Sequence, residues 1–211
     1  MILTRTYLNA RRRGAQRLLG SPQAMHAAIL SGFPPGVEAG RPLWRVDDDD
    51  PLKPTLYVVS QERPDLTHLE EQAGWPTQPM TQSASYDGLL GSLEAGQRWG
   101  FRMTVNPTRR VTINGVAKIL AHVSVEHQTR WLLSRASAIG VSFGPEEEPH
   151  CRLVRRNVRK FRRGGETVTL GVASFDGTLT VTDAGLLRSA LVSGIGRAKA
   201  YGCGLMTLAR L

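Results

Sequence analysis

His26 is the residue of this sequence whose surroundings most favour acid–base chemistry. It is one of five histidines and lies one turn into a predicted helix that begins at Ser21-Pro22. The serine can cap such a helix, and the proline fits its first turn. An imidazole titrates near neutral pH, so it can give or take a proton there. A single histidine on a helix is also common as a structural residue.

A glycine-rich segment near the C-terminus, residues 194–204 (the glycine loop), is the second candidate. Its glycines permit positive φ and let backbone N–H groups approach another molecule, while Arg197 and Lys199 add two cations. The predicted order of helix, loop and strand fits neither a dinucleotide fingerprint nor a Walker loop. The pattern favours contact with a phosphate backbone, although a tight turn would also need small residues. The glycines are Gly194, Gly196, Gly202 and Gly204.

Positive charge is concentrated between Cys151 and Arg163 in a chain of net charge +9 and pI near 10.4. Apolar residues fall on both faces of this predicted strand, so we expect a two-stranded arm that turns at Gly164-Gly165. Cations on such an arm can neutralise phosphates, although a basic hairpin that is merely solvated would look the same. The candidate RNA-binding residues are Arg155, Arg156, Arg159, Lys160, Arg162 and Arg163, with Arg11, Arg12, Arg13 and Arg17 after the first strand.

If the anionic partner is RNA, His26 can act as an acid or a base in its cleavage. RNA carries its own nucleophile, the 2′-hydroxyl, so a base, an acid and nearby cations can cut it without a metal. The aspartates from Asp47 to Asp50 lack the spacing of a calcium loop and are interpreted as a solvated turn. Cys151 and Cys203 have no partner at metal-ligand spacing. We therefore expect no metal, no small-molecule cofactor and no membrane contact, in a cytoplasmic protein.

The first half of the chain predicts a strand, a helix and two further strands. The strands are expected at 2–8, 43–46 and 55–61, the helix runs from Ser21-Pro22 to Leu30, and 65–71 is a short helical segment. Residues 74–96 are interpreted as loop with one possible edge strand. The domain boundary is placed at 94/95.

The second half repeats this order more clearly. Strands are predicted at 98–105, 141–143, 151–163, 167–174, 179–181 and 205–211, with a turn at Asp176-Gly177. Helices begin at the caps Ser124 and Asp183, and 106–123 is interpreted as a loop. A strand–helix–strand unit repeated in this way predicts an α+β protein of two tandem ferredoxin-like (RRM-like) domains, 1–94 and 95–211.

Three segments resemble the CasE family, the endoribonucleases that process CRISPR repeat RNA in type I-E systems. They are the opening strand from Leu3-Thr4-Arg5 to Asn9, the helix start Ser21-Pro22-Gln23-Ala24-Met25-His26, and the glycine loop with Leu205. The resemblance covers essentially the full length. It implies two ferredoxin-like RAMP domains, a metal-independent cut that leaves a 2′,3′-cyclic phosphate, and retention of the product. It also implies assembly with the other subunits of Cascade.

The resemblance further implies roles for individual residues. His26 matches the family's catalytic histidine, and the basic hairpin is expected to enter the groove of a repeat stem-loop. Where family members often carry a tyrosine, this chain has Gln23, which can donate a hydrogen bond to phosphate but cannot act as a phenolic acid or base. Lys199 is then a substitute electrophile. A non-catalytic RNA-binding module of a ribonucleoprotein is the alternative, and it differs only in whether His26 acts.

Overall fold

The computed structural model describes residues 1–36, 40–77 and 80–211, apart from the Arg163 side chain. The chain divides into two compact units. Unit 1 comprises Met1–Gly91 with Lys199–Gly202, and unit 2 comprises Ser92–Ala198 with Cys203–Leu211. The predicted boundary is 94/95, and that prediction keeps Lys199–Gly202 with the C-terminal domain. Within the described ranges, no helix has the length and apolar character to cross a membrane.

Unit 1 is a four-stranded antiparallel sheet with its three larger helices on one face. Its strands lie in the order β2-β3-β1-β4, which is the ferredoxin-like arrangement. The elements are β1 (Ile2–Tyr7), α1 (Arg13–Gly20), α2 (Pro22–Leu30), β2 (Leu43–Asp47), β3 (Thr55–Ser60), α3 (Thr67–Ala73), β4 (Gln82–Ser85) and α4 (Asp87–Gly91).

The core of unit 1 lies between these helices and the sheet. Leu18, Met25 and Leu69 come from the three larger helices, and Trp44 and Val58 come from the strands. Successive side chains of a strand point to opposite faces, so Arg45 and Tyr57 lie on the face away from the helices. The two faces of this sheet therefore differ in chemistry.

Unit 2 repeats the same strand order. Its sheet runs β11-β5-β10-β8, with β9 also paired to β10. The predicted α+β class with tandem ferredoxin-like folds is thereby confirmed. The elements are β5 (Arg98–Val105), β6 (Thr108–Ile113), β7 (Val116–Ala121), α5 (Val125–Leu133), a 3-10 turn (Ser137–Ile139), β8 (Val141–Ser142), β9 (Cys151–Arg163), β10 (Glu166–Val181), α6 (Ala184–Ser193) and β11 (Met206–Ala209).

Strands β9 and β10 extend past the sheet as a two-stranded arm. β5 pairs with β10 only from Ala173 to Thr180, whereas β9 continues to pair with β10 out to Glu166. Gly164 and Gly165 form the tip with φ of 54° and 87°. The arm is thus anchored at its base and ends in a tight turn, as the sequence predicts.

Three local predictions were wrong. Residues 106–123 are not a loop, because β6 and β7 pair as a hairpin around Asn114-Gly115. Asp176-Gly177 is not a turn, because β10 runs through it and the Asp176 carboxylate accepts hydrogen bonds from Arg102 at 2.6 and 2.7 Å. Residues 74–96 hold a helix as well as the edge strand β4, because α4 covers Asp87–Gly91. Helix α1, on which Arg13 and Arg17 lie, has no counterpart among the predicted elements.

A 3-10 turn, Lys199–Tyr201, carries the C-terminal segment into unit 1, where it packs against α2 and β2. Gly202 follows it with φ of 78°, and a Cβ at this glycine would lie 2.7 Å from Cζ3 of Trp44. Both the backbone angle and the close indole ring therefore require glycine here.

We expect Gly202→Ala to lower the free energy of unfolding by about 1–3 kcal/mol, because it adds backbone strain and a clash with a buried ring. Urea unfolding monitored by Trp fluorescence measures the change. Gly91→Ala is the matched control, since no atom lies within 4 Å of its added Cβ. Equal midpoints for both variants would contradict the packing described here.

Candidate active site

His26 is positioned by helix α2. The Ser21 hydroxyl accepts a hydrogen bond from the Ala24 backbone N–H at 3.2 Å, which caps the helix as predicted. Met25, in the next position, is buried, and His26 itself is half-buried. Gln23 is exposed and lies one turn before His26, so the two residues share a face of α2.

The 3-10 turn brings Lys199 to this part of unit 1. Because the turn packs against α2, Lys199 and His26 belong to neighbouring elements of the same compact unit. Both side chains are partly buried. The structure thus groups two of the predicted catalytic residues that are far apart in the sequence.

The environment lowers the pKa of both groups. Burial is the larger cause for His26, and the positive charge of Arg41 lowers its pKa further. The same two causes, in the same order, lower the pKa of Lys199. A lowered pKa keeps the imidazole neutral at pH 7 and therefore able to accept a proton.

The buried ring nitrogen of His26 indicates which atom can react. Nδ1 is buried and, among the described residues, has no hydrogen-bond partner. Proton exchange with a bound molecule would therefore use Nε2.

Arg41 is the member of this site that sequence reasoning missed. It is an exposed residue just before β2, and its charge acts on both His26 and Lys199. It follows Gly40 and precedes Pro42 in a loop with no motif, so nothing local marks it. The two elements that bring it near His26, β2 and α2, are separated by more than ten residues.

The glycine loop is mainly a folded turn. The Gly194 N–H donates to the Ala190 carbonyl at 2.9 Å, and the Gly204 N–H donates to the Thr104 carbonyl at 2.7 Å. A Cβ at Gly196 would lie 3.0 Å from the indole of Trp131. These contacts match the tight-turn alternative at those glycines. Arg197 is exposed.

The arginines after β1 differ in their surroundings. Arg12 donates hydrogen bonds to the carbonyls of Glu70, Glu71 and Gly74, at the end of α3, at distances from 2.6 to 3.4 Å. Its guanidinium therefore has a structural role in unit 1. The exposed residues of this group are Arg11, Arg13 and Arg17.

The arm holds its cations on both faces. Arg159 is half-buried near Cys203, and burial lowers its pKa. Arg156 is exposed and donates a hydrogen bond to the Val123 carbonyl at 3.1 Å. The side chain of Arg163 lies outside the described part of the structure. The other exposed cations of the arm are Arg152, Arg155, Lys160 and Arg162.

The β6–β7 hairpin adds a second basic projection. Arg109, Arg110 and Lys118 are exposed on it. Both strands are largely exposed, so they lack the alternation of buried and exposed residues that normally reveals a strand. The Asn114-Gly115 pair was the available signal, because it is typical of a hairpin turn.

The fold and the site define a class of protein built from two ferredoxin-like units, with basic projections and a partly buried histidine. A family described as CRISPR associated protein matches residues 1–210. The chain belongs to this family, and the predicted membership of its CasE branch is confirmed.

Known proteins similar to the chain agree with this assignment. The CRISPR-associated endoribonuclease Cse3 of Thermus thermophilus is 28% identical over 221 residues, which cover 99% of this chain and 100% of that protein. A structure of Thermus thermophilus Cse3 bound to an RNA representing a pre-cleavage complex matches with a TM-score of 0.81 and 27% identity, over 99% of this chain and 98% of that one.

A chain of a CRISPR RNA-guided surveillance complex in a pre-nicking state shares the fold. It matches with a TM-score of 0.70 and 22% identity, and both chains are covered completely.

The electrostatics of the site can be tested by titration. In an NMR titration of the imidazole protons, we expect the pKa of His26 to lie below 6.5. Arg41→Gln should raise it, because the variant removes a cation that disfavours imidazolium. Arg63→Gln is the matched control, since Arg63 is an equally exposed arginine of unit 1. An unchanged His26 pKa in Arg41→Gln would remove Arg41 from the site.

Proposed function

We propose that the protein is an endoribonuclease that cuts CRISPR repeat stem-loops in precursor crRNA. The observation that carries the proposal is the half-buried His26, with a lowered pKa, on a helix packed against the turn that holds Lys199. The similarity to Cse3 over nearly the whole chain supports the substrate class. The resemblance to the CasE family implies that His26 is the catalytic histidine.

The chemistry follows from the protonation states of the site. His26 Nε2 takes the proton of the 2′-hydroxyl, and the 2′-oxygen attacks the adjacent phosphorus as the bond to the 5′-oxygen breaks. Lys199 is suited to give the leaving oxygen its proton, because a lowered pKa makes an ammonium a better acid. Arg41 and Gln23 supply positive charge and a hydrogen bond to the phosphorane oxygens. The products are a 2′,3′-cyclic phosphate and a 5′-hydroxyl, and no step requires a metal ion.

The basic surfaces account for binding in this proposal. The arm and the β6–β7 hairpin contact the phosphates of the repeat, together with Arg197 and the exposed arginines after β1. After cutting, the protein retains the crRNA and joins the other Cascade subunits in the cytoplasm. The shared fold with a chain of an RNA-guided surveillance complex is consistent with that assembly.

The cut itself is tested with a hairpin repeat RNA in EDTA. We expect one cut at the 3′ side of the stem, and His26→Ala should slow single-turnover cleavage by about 10²-fold or more, because the base is lost. Affinity should stay nearly unchanged. His127→Ala is the matched control, an exposed histidine of unit 2.

Three other results would contradict the proposal, and each would indicate a different function or a different catalytic residue. Loss of the cut in EDTA would show a metal-dependent nuclease. Binding with no cut under any condition would show the non-catalytic RNA-binding module. A cut that His26→Ala leaves unchanged would assign the chemistry to another residue.

The arm is tested by charge reversal at exposed positions. Lys160→Glu with Arg162→Glu should weaken binding to all RNAs and reduce the slope of log affinity against log salt by about 0.7–0.9 for each lost phosphate contact. Arg63→Glu with Arg210→Glu changes the net charge equally at other exposed sites and is the matched control. If both double variants behave alike, the effect is one of total charge and the arm is not in the interface.

A further inference from the structure

The unit 1 sheet carries a row of alternating cations and aromatic rings on the face away from its helices. The strand registers place Arg45 on β2 opposite Tyr57 on β3, Tyr57 opposite Arg5 on β1, and Arg5 opposite Gln82 on β4. Tyr7 lies two residues beyond Arg5 on the same face. We call this surface the tyrosine face; its accessible residues are Arg5, Tyr7, Lys53, Tyr57 and Gln82, and Arg45 at its edge is buried.

The side chains of the tyrosine face are arranged by cation–aromatic contacts. The Arg45 guanidinium carbon lies 5.3 Å from the centre of the Tyr57 ring. The Tyr7 ring has the Arg5 guanidinium carbon at 5.2 Å and the Lys53 Nζ at 4.2 Å. Both rings are half-exposed, so a ligand can reach them.

The charge of the face favours an anionic ligand. Asp47 to Asp50 lie at the end of β2 and in the turn that leads to Lys53, and the Asp47 carboxylate is bound by the Arg45 guanidinium at 2.7 and 2.8 Å. Arg5 and Lys53 are half-exposed, and their charges are not paired with a carboxylate in any contact seen among the described residues. The surface therefore offers two flat rings together with the cationic groups of Arg5 and Lys53.

Rings on the two central strands of such a sheet fit one kind of ligand. In RNA-recognition modules, aromatic side chains on the central strands of a four-stranded sheet stack unpaired bases. Tyr7 lies on β1 and Tyr57 on β3, which are the central strands here. Bases inside a duplex are stacked on each other and cannot lie on a ring, so the arrangement selects single-stranded nucleic acid.

We propose that the tyrosine face binds a single-stranded RNA segment next to the stem-loop, with bases stacked on Tyr7 and Tyr57 and phosphates on Arg5 and Lys53. The Arg5 and Lys53 side chains that now lie over the Tyr7 ring turn outward to the phosphates as a base takes their place, whereas Arg45 keeps its contact with Tyr57 and its hydrogen bonds to Asp47. The inference rests on the proposed function only in taking the repeat RNA as the ligand. It adds a binding surface distinct from the arm and from the site of His26.

The test compares three RNAs that share one hairpin. The first is the hairpin alone, the second carries eight unpaired adenosines at its 5′ end, and the third extends the stem by eight base pairs. Wild-type protein should bind the unpaired extension about fivefold or more tighter than the hairpin alone, the effect of at least one base–aromatic stack. The paired extension should add less.

Variants test whether the gain in affinity from the unpaired extension, called the increment below, comes from the tyrosine face. Tyr57→Ala and Tyr7→Ala should each reduce it severalfold, whereas Tyr57→Phe keeps the ring and should retain it. Lys53→Gln, at a half-exposed position where misfolding is not expected, should reduce it and lower its salt dependence. Circular dichroism of each variant verifies the fold.

The inference is overturned if the unpaired extension adds no affinity, as it would if a protein partner covers this face. It is also overturned if the paired extension adds as much, or if Tyr57→Ala and Lys53→Gln both keep the full increment. Cleavage of the hairpin without any extension reports separately on the proposed function. A chain that fails to cut it but shows the ring-dependent increment would support this inference and reject the catalytic proposal.

Discussion

The contact between Gly202 and the indole ring of Trp44 is the constraint on which the candidate active site depends. A side chain at Gly202 would overlap the ring, so only glycine lets the 3-10 turn approach β2 this closely. Lys199 lies at the start of that turn. The same packing partly removes Lys199 from water and lowers its pKa. One backbone approach thus fixes the position of a candidate catalytic group and lowers its pKa.

Positive charge around His26 has two effects. It disfavours the imidazolium form, and it attracts the anionic backbone that the neutral imidazole would act on. A carboxylate partner would have raised the histidine pKa instead and would have repelled phosphate. The use of Arg41 rather than an acidic residue next to His26 is therefore consistent with a base that works on an anionic substrate.

Local signals in the sequence were sufficient for most of the fold. The cap at Ser21, the alternating strand β5 and the cap at Asp183 all have the predicted structures. The β5 aromatics Trp99 and Phe101 are buried core residues.

Prediction failed where tertiary contacts outweigh local preference. Asp176-Gly177 has the composition of a turn, but pairing with Arg102 keeps the strand continuous. Arg41 and the tyrosine face are defined by strand register and packing, which no short motif encodes. The roles assigned to His26, Gln23 and Lys199 stay predictions.

The β9–β10 arm can change in length without a change in the rest of the fold. In the outer part of the arm, among the described residues, β9 and β10 pair only with each other. The length of the arm is therefore not limited by the other strands of the sheet. Adding two residues to each strand would lengthen it by about 7 Å and leave every side chain on its present face. Adding one residue to each strand would instead move the side chains beyond the insertion to the opposite face of the arm. A change in the length of the arm by two residues per strand would therefore leave both the facing of its side chains and the sheet at its base unchanged.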